Sequence, residues 1–288
     1  MLKQIITGFL VVVLLASFLF PSVNKKRKIK KGPPGTIWLR DTIYMDECEV
    51  RNLDYLEYIW WLKNNYGKDE PYIITKNLPD TLLWKQPGSY SEEIANSYFS
   101  SPAYRHFPVT CISYQQAKDY CQWRTERVKE GIKYGKEHDK KVEFPNHFED
   151  FYYRLPTIEE WEYAASGGMD TAKYLFGYEF LNDSEQIVRV NVREGDGNTN
   201  GLYGTGFPKE AEYGLENNFG FYSMIGNVAE MSNEKGISKG GSWNHYLDQC
   251  HIRDSIVYSV PATWLGFRCV CVVKYKTGYD AVTGQKKK

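Results

Sequence analysis

The sequence predicts an α+β domain that is rich in loops and has little regular secondary structure. Three observations carry this. Amphipathic stretches of helical length are few, near residues 53–64, 114–130 and 157–165. The closing run Phe267-Arg268-Cys269-Val270-Cys271-Val272-Val273 is rich in β-branched residues and reads as a strand. Aromatic residues make up 16% of the chain, with 23 tyrosines. Rings that pack and hydrogen-bond at once suit an irregular fold or an adhesive surface.

A chain of 288 residues fits one large domain or two small ones. At that size roughly 70–75% of the unfolded surface can be buried, so no staple is needed for folding. Lys plus Arg and Asp plus Glu both number 36, and a chain without net charge presents no overall field for nucleic acid. The six cysteines, Cys48, Cys111, Cys121, Cys250, Cys269 and Cys271, contain no Cys-x-x-Cys pair, which argues against a zinc ribbon or a thioredoxin-type motif. They permit disulfides without demanding them. The five histidines show no His-x-x-x-His spacing.

Residues 5–20 are almost wholly apolar, long for a signal-peptide core and short for a transmembrane helix. Both readings stand. Lys25-Lys26-Arg27-Lys28 and Lys30-Lys31 follow; on an uncleaved segment they would favour a cytoplasmic C-terminus, and they read as a solvated linker. No cysteine lies near the end of the apolar run, which excludes a lipoprotein anchor. Beyond Gly32-Pro33-Pro34-Gly35 the pattern becomes domain-like. Residues 42–45 read as a first strand, and Asn52 as the N-cap of a helix over 53–64. Residues 66–105 form a polar, aromatic insert. Residues 108–113 are strand-like, and Ser113 is placed to cap the helix 114–130, with Ala117, Tyr120, Cys121 and Val128 along one side. Residues 129–150 read as a solvated charged insert. Thr157 and Glu160 form a capping box in Tyr153-Arg154-Leu155-Pro156-Thr157-Ile158-Glu159-Glu160-Trp161. Glu159 and Glu162 read as a solvated face, and residues 166–225 as loop.

Four stretches carry a family resemblance: residues 108–123; Tyr153 to Ala165; Gly220-Phe221-Tyr222-Ser223-Met224-Ile225-Gly226-Asn227-Val228-Ala229-Glu230; and Gly240-Gly241-Ser242-Trp243 with the later Gly266-Phe267-Arg268-Cys269. Together they resemble the formylglycine-generating enzyme (sulfatase-modifying factor) domain, over residues 36–275. Residues 78–85, 98–104 and 123–128 resemble a narrower subgroup, the gliding-motility lipoprotein J type linked to type IX secretion. The resemblance implies a C-type-lectin-like α+β fold. The layout expected is a signal peptide or membrane anchor at 1–23, a basic linker at 24–35, the domain at 36–275 and a polar tail at 276–288.

Family enzymes oxidise a sulfatase cysteine to formylglycine with copper held by two cysteines. Matching the motif residue by residue puts His245 at the first of these positions, Cys250 at the second and Ser242 at the active-site serine. A His–Cys pair can bind copper or zinc but lacks the two-thiolate geometry. The resemblance also implies structural Ca²⁺ near Glu230, with the carbonyls of Gly226 and Val228 and with Ser223 at an Asn/Asp position; Asn191 and the carbonyl of Val192 would serve a second site. It further implies a disulfide between Cys121 and Cys269. The function expected is a non-catalytic structural or binding component at the bacterial cell envelope, exported to the periplasm or envelope. Its partners would be other envelope proteins, with membrane contact through an uncleaved N-terminus. The alternatives are a copper- or metal-dependent oxidase acting on a sulfatase cysteine, and a carbohydrate-binding lectin-like module.

Overall fold

The computed structural model describes residues 32–85, 92–138, 147–178, 190–193, 206–214, 216–280 and 286. The apolar and basic segments expected within residues 1–31 lie outside them. Among the described residues no helix is long and apolar enough to cross a membrane.

Two small sheets organise the chain. In the first, β1 (Thr36–Arg40), β2 (Ile43–Asp46), β8 (Val270–Tyr275) and β3 (Phe148–Arg154) lie side by side in that order, every pair antiparallel. The strand read from the C-terminal run therefore sits in the middle, with Cys271 opposite Tyr44 on one side and Tyr153 on the other. The second sheet has the order β6 (Ile256–Val257), β5 (Ile237–Lys239), β4 (Ala229–Met231), β7 (Leu265–Gly266), with β4 and β7 parallel.

Five helices complete the described fold: α1 (Asn52–Tyr66), α2 (Pro71–Asn77), α3 (Glu92–Ser97), α4 (Tyr114–Glu137) and α5 (Ile158–Ser166). Two start where the sequence places a cap. Ser113 Oγ accepts from Gln116 N while Gln116 Oε1 accepts from Ser113 N, and Thr157 with Glu160 makes the same reciprocal pair. Asn52 is not the cap of α1. It is the first helical residue, and its side-chain amide donates to the carbonyls of Tyr98 and Tyr104, tying α1 to the insert. Arg51 takes the cap position, its backbone N–H bonded to Asp54 Oδ2.

Other expectations change for identifiable reasons. Residues 108–113 form one isolated bridge, Arg51 to Pro108, and no strand, because Cys111 adopts a left-handed φ of 61° and breaks the pleat. The charged segment after residue 129 begins as helix, with α4 running on to Glu137. Glu162 is no freely solvated acid: it receives the ammonium of the fully buried Lys239 at 2.7 Å.

The core has three parts. Tyr55 stacks on Tyr120, and Phe267 meets the same ring edge-on, in a cluster that includes Cys121, Cys269 and Cys271. A second cluster surrounds the wholly buried Trp161 with Ala164, Phe221, Met224, Cys250 and Val270. The insert supplies a third, Trp84, Ala95 and Tyr98 with Cys111, against which Trp243 packs. Losing a buried ring such as Trp161 costs about 3–5 kcal/mol, so these clusters hold the loops that carry the candidate site.

Candidate functional site

After β5 the chain turns through Gly240 (φ +86°) and Gly241 (φ +69°). The backbone approach here leaves no space for a side chain. A Cβ on Gly241 would lie 2.1 Å from Cys250 Sγ, and one on Gly240 2.7 Å from the carbonyl oxygen of Met224. The turn delivers Ser242 into the interior. Its Oγ accepts the N–H of Asn244 at 3.1 Å and stands 2.6 Å from His245 Nδ1. Ser242 Oγ and His245 Nδ1 share a hydrogen bond whose direction follows the imidazole tautomer. The imidazole meets Trp264 edge-on at 4.9 Å, and burial lowers its pKa, keeping it neutral.

Cys250 is fully buried, its thiol donating to the carbonyl of Tyr246 at 3.2 Å. Burial pushes its pKa up to about 12, so it is a thiol at neutral pH. A thiolate is the species that binds soft metals and attacks electrophiles. The structure thus brings Ser242 to His245 and sets Cys250 beneath Gly241, among the apolar side chains around Trp161. As a copper centre the arrangement lacks the two thiolates of the family site: one ligand position is an imidazole hydrogen-bonded at Nδ1, the other an enclosed thiol. Among the described residues, no three His, Cys, Asp or Glu side chains gather as for a metal ion.

Ser223, Gly226 and Asn227 all take positive φ. Asn227 Nδ2 donates to Glu49 Oε1 at 3.0 Å, and its Oδ1 accepts from Lys209 N at 2.8 Å. Asn191 lies against this turn: its carbonyl accepts from Asn227 N at 2.7 Å, its Nδ2 donates to the carbonyl of Phe207, and Val192 follows it in the core. Ser223 Oγ donates to the carbonyl of Ala211. Glu230 is 1% exposed and fully engaged. Arg268 donates to it from Nε at 2.6 Å and from Nη2 at 2.7 Å, and Trp161 Nε1 adds a third bond at 2.8 Å. With its charge answered by Arg268, Glu230 does not fit as the anion of a calcium site, which needs several oxygens with free charge. Among the side-chain oxygens of the expected set, Asn191 Oδ1 is buried and without a hydrogen-bond partner among the described residues.

Cys121 Sγ and Cys269 Sγ lie 3.4 Å apart as thiols. Beside them Asp46 Oδ2 accepts from Arg124 Nη1 at 2.7 Å and from Cys269 N at 2.9 Å. Sequence reasoning missed Asp46, Glu49 and the role of Arg268. The available signal was for Arg268 alone, a charge inside the apolar run 265–273, since such residues are buried only when paired; Asp46 and Glu49 stand in a charged stretch that gives none.

A family model described as the sulfatase-modifying factor enzyme 1-like domain matches residues 9–273. Among curated proteins, the chain is 27% identical over 176 residues to the bovine (Bos taurus) inactive C-alpha-formylglycine-generating enzyme 2, covering 57% of this chain and 45% of that protein. It is 23% identical over 283 residues to the mouse (Mus musculus) formylglycine-generating enzyme, covering 80% and 66%. The chain thus spans less than half the length of the bovine relative. Among solved structures, PvdO from Pseudomonas aeruginosa superposes with a TM-score of 0.50 at 17% identity, covering 88% of this chain and 89% of the other.

Proposed function

This chain belongs to the sulfatase-modifying factor enzyme 1-like domain family, with the loop-rich α+β fold of formylglycine-generating type, and from that premise we propose that it is a non-catalytic member, a structural or binding component of the bacterial cell envelope. One observation carries the reading. The residue at the first copper position, His245, is pinned to Ser242, and its expected partner Cys250 is buried as a neutral thiol. Similarity to a relative named inactive supports it.

The envelope setting rests on the apolar segment at residues 5–20, and the link to gliding motility and type IX secretion on residues 78–85 and 98–104. Trp84 and Tyr98 from those stretches pack in the third core cluster, so the insert is an integral part of the domain. Other envelope proteins are the partners in this reading. The test is affinity purification of the tagged full chain from detergent-solubilised membranes of its host. The reading expects it in the membrane fraction with a fixed set of envelope proteins. Recovery from the soluble cytoplasm alone, with free thiols throughout, would overturn it.

A further inference from the structure

The second sheet ends at β6, and that end is open. The register pairs Ile237 with Val257 and Ser238 with Ile256. Both backbone groups of Ile237 are engaged away from β6: its N–H donates to the carbonyl of Glu234, and its carbonyl accepts from Ser232 N. The next bond between the two strands runs from Tyr258 N to the carbonyl of Gly236. Hydrogen-bonded and non-hydrogen-bonded pairs alternate along an antiparallel ladder. Ile237 and Val257 are therefore a non-hydrogen-bonded pair, and the N–H and C=O of Val257 point away from β5, off the edge of the sheet.

The side chains of this edge are as open as its backbone. Val257 is 75% exposed and Val260, just beyond it, 65%, the most exposed large hydrophobic side chains among the described residues. Natural sheets keep an edge from pairing with charges, prolines or bulges. Here residues 255–260 carry no charge, Pro261 lies past the strand, and the register between β5 and β6 runs without a shift. The stretch also fits itself. Turned about a two-fold axis through Val257, two copies set Val257 opposite Val257, with both of its outward backbone groups bonded, and Ile256 of each opposite Tyr258 of the other. Ser255 then meets Ser259, so the run Ser-Ile-Val-Tyr-Ser reads nearly alike in both directions. We propose that β6 pairs with β6 of a second copy of this chain, antiparallel about Val257, so that the two second sheets become one continuous sheet. Such a pairing closes on itself, because each copy's open edge is used up. A contact of this size belongs with transient interfaces, so the dimer dissociates at micromolar concentration.

The test is the protein mass of the full chain in detergent, measured by light scattering over about 1 to 300 μM. The proposal expects monomer at the bottom of the range and dimer at the top. Val257→Lys, which places a charge on the paired edge, should weaken the dimer at least roughly tenfold, with the melting curve confirming a folded protein. Val257→Ile should leave the dimer intact. Should the lysine variant fail to fold, Val257→Cys decides. Directly opposed residues of a hydrogen-bonded pair have Cα atoms about 5.5 Å apart, within disulfide reach, so oxidation at high concentration should join two chains from position 257 to position 257, as read by peptide mass. A chain that stays monomeric throughout, a dimer indifferent to Val257→Lys, or the absence of that link overturns the proposal.

Discussion

Arg268 and Glu230 form a bidentate ion pair at 2.6 and 2.7 Å with neither side chain in contact with solvent. The same guanidinium donates to the carbonyls of Asp46, Glu47 and Tyr222, so one side chain joins the end of β2, the loop before the Gly226 turn, and β4. Removing one partner of a buried pair leaves an uncompensated charge. Arg268→Met should destabilise the protein by about 3–5 kcal/mol, and Arg268→Met with Glu230→Leu by less, as measured by urea denaturation.

The pairing also bears on calcium. Because Arg268 already neutralises Glu230, adding EDTA to the purified protein should leave its melting temperature unchanged. A drop reversed by Ca²⁺ would show, by linkage, that a calcium site exists despite the pair.

The parts of this fold legible in the sequence are those fixed by near neighbours. Thr157 with Glu160 and Ser113 with Gln116 announce helix starts because both partners lie within one turn. The C-terminal strand is legible from its composition, but its central place between β2 and β3 depends on pairing with Ile43 and Tyr152, far away in sequence. Nothing in the neighbouring residues marks Asp46, because the groups it accepts from, Arg124 Nη1 and the N–H of Cys269, lie 78 and 223 positions away. In the candidate site, the glycine turn and the loss of the first cysteine were plain from Gly240, Gly241 and His245. The protonated state of Cys250 was not, since burial is a property of the assembled core.

The two sulfurs of Cys121 and Cys269 already touch at 3.4 Å, 148 residues apart in sequence. In an oxidising compartment they should be cross-linked, which by chain entropy stabilises by up to about 5 kcal/mol. Peptide mapping without reductant, on protein isolated from its host, should recover the linked peptides. Alkylation of both as free thiols would contradict an exported location.

Glu49 predicts a pH dependence. Burial lifts its pKa from 4.5 to about 8, the nearby positive charge of Arg268 opposing this and Glu230 reinforcing it. Between those values the native state holds a proton that the unfolded chain has released. This contribution is therefore fully present below about pH 4.5 and is lost as pH rises toward about 8. The stability of Glu49→Gln relative to the parent should rise across that window in urea melts taken at successive pH values. A constant difference would contradict it.

The central claim, that this domain has lost the copper chemistry of its family, is tested most directly by incubating the purified protein with Cu(I), oxygen and a Cys-x-Pro-x-Arg peptide and following the peptide mass. With His245 held by Ser242 and Cys250 protonated beneath Gly241, the peptide cysteine should persist unchanged. Conversion to formylglycine, abolished by Cys250→Ala, would contradict the account.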